Sequence, residues 1–191
     1  MTTIDYAREY LARGWRAIPL RAGTKQPATR GWPQLQVPPA EIEEYFTAVH
    51  NVGVVLGECS GWLVDVDLDC LEAIALAPRY LPWTGAVFGR PSAPRSHWLY
   101  HAPGLAPVKH SGPGGCIVEI RSTGQQTMFP GSAHPCGDRV EWALVGSPAR
   151  VEAAQLTDRV LALAEACGSL KRGLADSAAG RVSDRGSFAG R

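Results

Sequence analysis

The sequence predicts an α+β fold of ordinary soluble type. Three observations carry this. Short runs rich in Val, Ile, Leu, Trp and Tyr recur along the middle of the chain, bounded by Gly and Pro, and read as strands joined by turns. Helical spacing occurs near both ends and once between strands. Hydrophobic residues make up 45% and charged residues 19% of 191 residues, enough apolar material for one core without disulfide staples and too much for a disordered chain. No apolar run approaches the ~18 residues of a membrane span, and the N-terminal segment carries acids in an amphipathic pattern, unlike a secretory leader.

Taken in order, Thr2 and Thr3 can cap a first helix whose apolar side includes Ile4, Tyr6, Ala7, Tyr10 and Leu11, with Gly14 as its stop. Residues 15–20 read as a strand, and 21–39, with four prolines and two glycines, as a loop. Pro39 suits the first position of a helix over 39–49, with Glu41, Glu43 and Glu44 near its positive end. Two apolar runs, 52–56 and 62–66, flank Gly57–Gly61 and predict a hairpin. A helix follows Asp69, which is placed to cap it. Strands are expected near 86–89, 96–101, 116–121, 126–130 and 139–144, and a last amphipathic helix over 151–166, ended by Gly168. The Gly-rich stretch 111–115 reads as a mobile loop, lacking the lysine and following helix of a phosphate-binding P-loop. The expected division is a catalytic domain over 1–167 and a flexible linker or tail over 168–191.

Charge excludes binding of nucleic acid by bulk electrostatics. The net charge is +1; residues 168–191 hold five basic and two acidic side chains, leaving the body slightly acidic. The five cysteines form no C-x-x-C pair, which suits reduced thiols. A zinc site from His110, Cys116, His134 and Cys136 has no ligand spacing to support it, so zinc is not expected.

The chemistry concentrates on strands. Asp65 and Asp67 stand two apart in an apolar run, so both carboxylates share one face while Val64 and Val66 point to the other. Two such carboxylates repel unless a cation lies between them, and Mg²⁺ or Mn²⁺, with its preference for oxygen, is the natural one; two acids in solvent at a strand end are the plain alternative. An EF-hand loop counted from Asp65 would need Gly and Glu where Cys70 and Leu76 stand. Arg95, His97 and Leu99 would share a strand face, letting a guanidinium and an imidazole meet an anion. Glu119 is an acid centred in an apolar strand, a position that calls for an arginine or a metal as partner. Three carboxylates around metals, with basic groups for a triphosphate, are equipment for nucleotidyl transfer.

In this order and spacing the motifs resemble the bifunctional primase/polymerase (Prim-Pol) domain of the archaeo-eukaryotic primase superfamily, over about residues 5–165. They include Gly14-Trp15 through Pro19-Leu20, Lys25-Gln26-Pro27 with Gly31-Trp32, Asn51-Val52-Gly53-Val54, Gly57 with Ser60 through Asp67, His97 through Tyr100, Val118-Glu119-Ile120-Arg121, and Pro130 through His134 with Gly137 and Trp142. The resemblance implies an RRM-like antiparallel sheet packed on helices, completed by an N-terminal α/β module. It implies Asp65, Asp67 and Glu119 as catalytic metal ligands for two Mg²⁺ or Mn²⁺ ions and His97 as a triphosphate contact. Lys25, Arg95, Arg121, Ser132 and His134 fall in segments that line the same cleft. The family's Ser-x-His departs here, with Arg95 two before His97 and Ser96 adjacent. The implied activity is DNA polymerase, with primase as its second form, on single-stranded DNA template, primer strand and dNTP or NTP. The implied setting is cytoplasmic replication of a bacterial plasmid or phage, with a helicase as neighbour. Two other classes remain open: a catalytically idle nucleic-acid-binding module of a replication helicase, and a metal-dependent phosphoesterase.

Overall fold

The computed structural model of the protein describes residues 1–183, with side chains through Lys171. It is α+β, as expected. The first helix, α1 (Thr3–Ala12), opens on a reciprocal cap: Thr2 Oγ1 accepts from the Asp5 N–H at 3.2 Å, and the Asp5 carboxylate accepts from the Thr2 N–H at 2.8 Å. Strand β1 (Arg16–Leu20) follows. The helix expected over 39–49 is much shorter: a 3-10 turn at Pro39–Glu41 leads into α2 (Ile42–Tyr45). Phe46 then turns to extended backbone and enters the core, 1% exposed, which ends the helix.

Strands β2 (Asn51–Val55) and β3 (Leu63–Leu68) are where sequence and structure part most clearly. The expected hairpin does not form. The two strands belong to different sheets, and a single bridge, Gly57–Leu63, links the turn after β2 to the start of β3. Gly57, Gly61 and Trp62 all have positive φ (87°, 67° and 63°) around a 3-10 turn at Glu58–Ser60, so the chain leaves the plane of the first sheet. Every residue of both strands is buried, β2 in the core with α1 and β3 between that core and the one against α3 and α4.

The remaining elements are α3 (Leu71–Tyr80), β4 (Ala86–Arg90), β5 (Ala93–His101), β6 (Val108–Gly112), β7 (Gly115–Arg121), β8 (Gln126–Met128), β9 (Glu141–Val145), β10 (Ala149–Arg150) and α4 (Ala153–Ser183). The stretch 111–115 is not a loop but the tight end of the β6–β7 hairpin, with Gly112 paired to Gly115. Helix α4 runs through Gly168 to Ser183, so part of the segment expected as a flexible tail is helical; residues 184–191 lie outside the described residues.

A small antiparallel sheet has the order β1-β2-β8, and a larger one the order β6-β7-β3-β5-β4-β9, with β10 parallel to the end of β5. Val64, Val66, Leu68, Trp98, Tyr100, Val118 and Ile120 turn to one side of the larger sheet and pack with residues of α3 and α4. On the other side Leu63, Phe88 and Leu99 join a core with α1 and the small sheet. The cleft opens where that second core stops.

Candidate active site

Strand β3 lies between β5 and β7, and register decides what surrounds its two aspartates. Asp67 is opposite His97 on β5 and Glu119 on β7; Asp65 is opposite Leu99 and Arg121. Partners directly opposed in an antiparallel pair share a face. Continued outward, the row through Asp67 reaches Lys109 on β6 and Phe88 on β4.

The carboxylates are held by internal donors. Asp65 is fully buried; its Oδ2 accepts from Thr127 Oγ1 at 2.8 Å and faces His97 Nδ1 at 3.0 Å. Thr127 belongs to β8, so this contact joins the two sheets at the floor of the cleft. Asp67, 5% exposed, forms an ion pair with Arg121 Nη2 at 2.7 Å and lies 3.5 Å from His97 Nδ1. Arg121 Nε also donates to Glu119 at 3.0 Å, and Gln125 donates to the other Glu119 oxygen at 3.2 Å. The imidazole of His97 stacks on Phe88, with ring centroids 4.5 Å apart.

Charge follows from this packing. Burial pushes the Asp67 carboxyl up; His97 and Arg121 oppose the shift, the Asp65 and Asp69 charges reinforce it, and the net direction is up. For His97 burial acts downward, yet Asp67, Asp65 and the hydrogen bond to Asp65 outweigh it, so its proton is held more tightly than in water. Burial acts downward on Arg121 too, and the surrounding acids raise it above its ordinary value.

The donor set fits a hard divalent ion. Asp67, Asp69 and Glu119 each offer an oxygen, all within 4.8 Å of one another. An octahedral Mg²⁺ or Mn²⁺ holds oxygens at about 2.1 Å, so opposite ligands stand roughly 4 Å apart, close to this spread. Asp69 extends the period-two series of Asp65 and Asp67. The expected helix cap does not occur, because the N-cap of α3 is Cys70 and Asp69 faces the cleft group instead.

The model of the family described as bifunctional DNA primase/polymerase, N-terminal (Prim-Pol) matches residues 7–156. The chain belongs to the Prim-Pol family. The match runs from α1 into α4 and contains every residue of the acid row. No curated protein matches the chain.

Within the Prim-Pol match, the residues singled out from sequence divide into those the fold brings together and those it does not. Lys25, His97, Arg121 and His134 line one cavity, joined by Arg90 and Thr127. Two of these come from loops pinned by a single buried side chain: Asn51 Nδ2 donates to the Thr24 and Ala133 carbonyls at 3.2 and 2.8 Å. An adjoining groove takes in Asp67, Asp69, Leu71, Ile74, Arg90 and His97. Arg95 does not join His97. Its φ of 55° breaks the strand alternation, beside Gly89, whose Cβ would meet the Arg95 nitrogen at 2.5 Å; its guanidinium carbon sits 5.7 Å from the Trp98 ring centroid. Ser132 is 1% exposed and exchanges hydrogen bonds with the Val52 N–H and carbonyl, tying its loop to β2 rather than entering the cavity. Asp69, Arg90, Thr127 and Gln125 are the residues that sequence reasoning missed. Only Asp69 left a signal, by continuing the alternation. Among the described residues, no helix is long and apolar enough to cross a membrane.

Proposed function

We propose that this Prim-Pol chain is a DNA-templated nucleotidyltransferase that joins a nucleotide to the 3′ end of a primer strand on a single-stranded template. The reading rests above all on one juxtaposition: Asp65, Asp67, Asp69 and Glu119 gather beside a cavity lined by Lys25, Arg90, His97, Arg121 and His134. The cavity's cations bind the triphosphate and fix its path along the acid row. His97, with Nδ1 turned to the aspartates and its proton held tightly, is left with Nε2 as a charged donor for a phosphate oxygen. Asp65 acts through His97, setting the ring's orientation. Asp67, Asp69 and Glu119, with Asp65 next to Asp67, are the residues that would hold the metal ions. Divalent ions bound there would supply the charge that eases loss of the primer hydroxyl proton and neutralises the departing pyrophosphate. In the reaction the 3′ oxygen forms a bond to the α-phosphorus as the α–β phosphoanhydride bond breaks. The natural setting we propose is replication of a plasmid or phage, beside a helicase.

Extension of a labelled primer on a DNA template, with dNTP or NTP and with Mg²⁺ or Mn²⁺, tests this. Extension is expected from the wild type and none from Asp65→Ala/Asp67→Ala. Nucleotide hydrolysis without extension, or extension by the double variant, would overturn it.

A further inference from the structure

Arg121 stands in the way of the ion that the same acids would bind. Its Nη2 is 2.7 Å from Asp67 Oδ2 and its Nε 3.0 Å from Glu119 Oε2, so it bridges two of the three carboxylates of the metal-fitting group. Residues 119 and 121 alternate on β7 and share its cleft face, which lets the arginine fold back along its own strand and across to β3. The other donors are fixed: His97 is clamped between Phe88 and Asp65, and Gln125 bonds the far oxygen of Glu119. Arg121 is different. Its side chain is 22% exposed and it also lines the cationic cavity with Lys25, Arg90 and His134. A guanidinium and a divalent ion compete for the same two carboxylates, and the ion's approach to within about 2.1 Å of their oxygens is opposed by the positive charge beside it.

We propose that Arg121 is a positioning residue that exchanges partners: it holds Asp67 and Glu119 in the free protein, yields them when a divalent ion enters, and turns to phosphate oxygens in the cavity. This rests on the reading of the cleft as a metal and triphosphate site. The planar fork of arginine suits both partners, since carboxylate and phosphate each accept two parallel N–H bonds. Metal entry and triphosphate capture are thereby linked through one side chain: an ion entering alone must displace an ion pair and a charge-assisted hydrogen bond, and a triphosphate gives the guanidinium new anionic partners.

The test is Mn²⁺ binding to the full chain without nucleotide, read by electron paramagnetic resonance, for the wild type, Arg121→Met, Arg121→Lys and Asp67→Asn. Arg121→Met is expected to bind Mn²⁺ on the order of tenfold more tightly than the wild type, the size of an ordinary coupling between two competing cations, with Arg121→Lys between them. Its melting temperature should be lower without metal and rise further on adding it. At saturating Mn²⁺ its nucleotide KM should rise severalfold. Mn²⁺ affinity in Arg121→Met equal to or weaker than the wild type's would overturn the proposal and leave Arg121 a structural ion pair. Wild-type Mn²⁺ binding that Asp67→Asn leaves unweakened would overturn the metal reading and the proposal with it. If Arg121→Met does not fold, the wild type answers directly: the Arg121 Nε–H resonance should shift on adding Mg²⁺, and a resonance that stays in place would overturn the exchange.

Discussion

The two faces of β3 and β7 differ in what they are for, although they alternate along the same strands. Val64, Val66 and Leu68, with Val118 and Ile120, are buried and pack with residues of α3 and α4. Asp65 and Asp67, with Glu119 and Arg121, point the other way, and the two aspartates are buried almost as deeply. Burial stabilises the first set through area removed from water. On the second set it raises Asp67 and is offset by donors and cations, Thr127 and His97 at Asp65 and Arg121 beside Asp67. A sheet that tolerates this expense on one face, and none on the other, has a folding face and a chemical face.

The comparison can be broken at either face. On the chemical side, Asp65→Asn keeps shape and can still accept from Thr127, so it should fold while primer extension falls by about 10³-fold or more; single-turnover incorporation measures this. Across the same sheet, Ile120→Ala should cost about 2–5 kcal/mol of stability in denaturant unfolding and leave the rate per folded molecule unchanged. Between these lies Thr127→Val, which removes the donor that ties Asp65 to the small sheet; its extension rate should drop by roughly 10-fold, and its stability by about 1–3 kcal/mol, because a buried carboxylate loses a donor.

The smallest effect concerns pH. His97 and Asp67 are both raised in the fold. A raised group contributes stability that is present below its unfolded value and lost as pH climbs through the folded one, so the metal-free protein should begin to lose stability above about pH 4 through Asp67 and lose more above about pH 6.5 through His97. A divalent ion competes with those protons. The Mg²⁺-induced rise in melting temperature should therefore be greater at pH 8 than at pH 6, and a thermal-shift series checks it.

Alternation makes the chemical face legible in the sequence. The opposed orientation of Asp65 and Val64, the strands bearing His97 and Glu119, and the Prim-Pol resemblance all follow from residues close together along the chain, and the family match over 7–156 agrees with the last. What stays hidden depends on the third dimension or on single dihedral angles. No local signal says that β2 and β3 part into two sheets, because two apolar runs around a glycine-bounded turn look the same whether they pair or separate. Arg95 departs from its expected place because one positive φ undoes the alternation. Asp69 is hidden by its second plausible role as a helix cap. Thr127 and Arg90 reach the cleft from β8 and β4, and spacing carries no trace of that.

The most direct test of a chemical face separate from the folding face is a paired measurement on Asp67→Asn: thermal melting without metal, and single-nucleotide incorporation with Mn²⁺ on a primed template. The variant should melt within a few degrees of the wild type and incorporate no nucleotide. Incorporation at the wild-type rate, or a variant that cannot fold, would contradict the division.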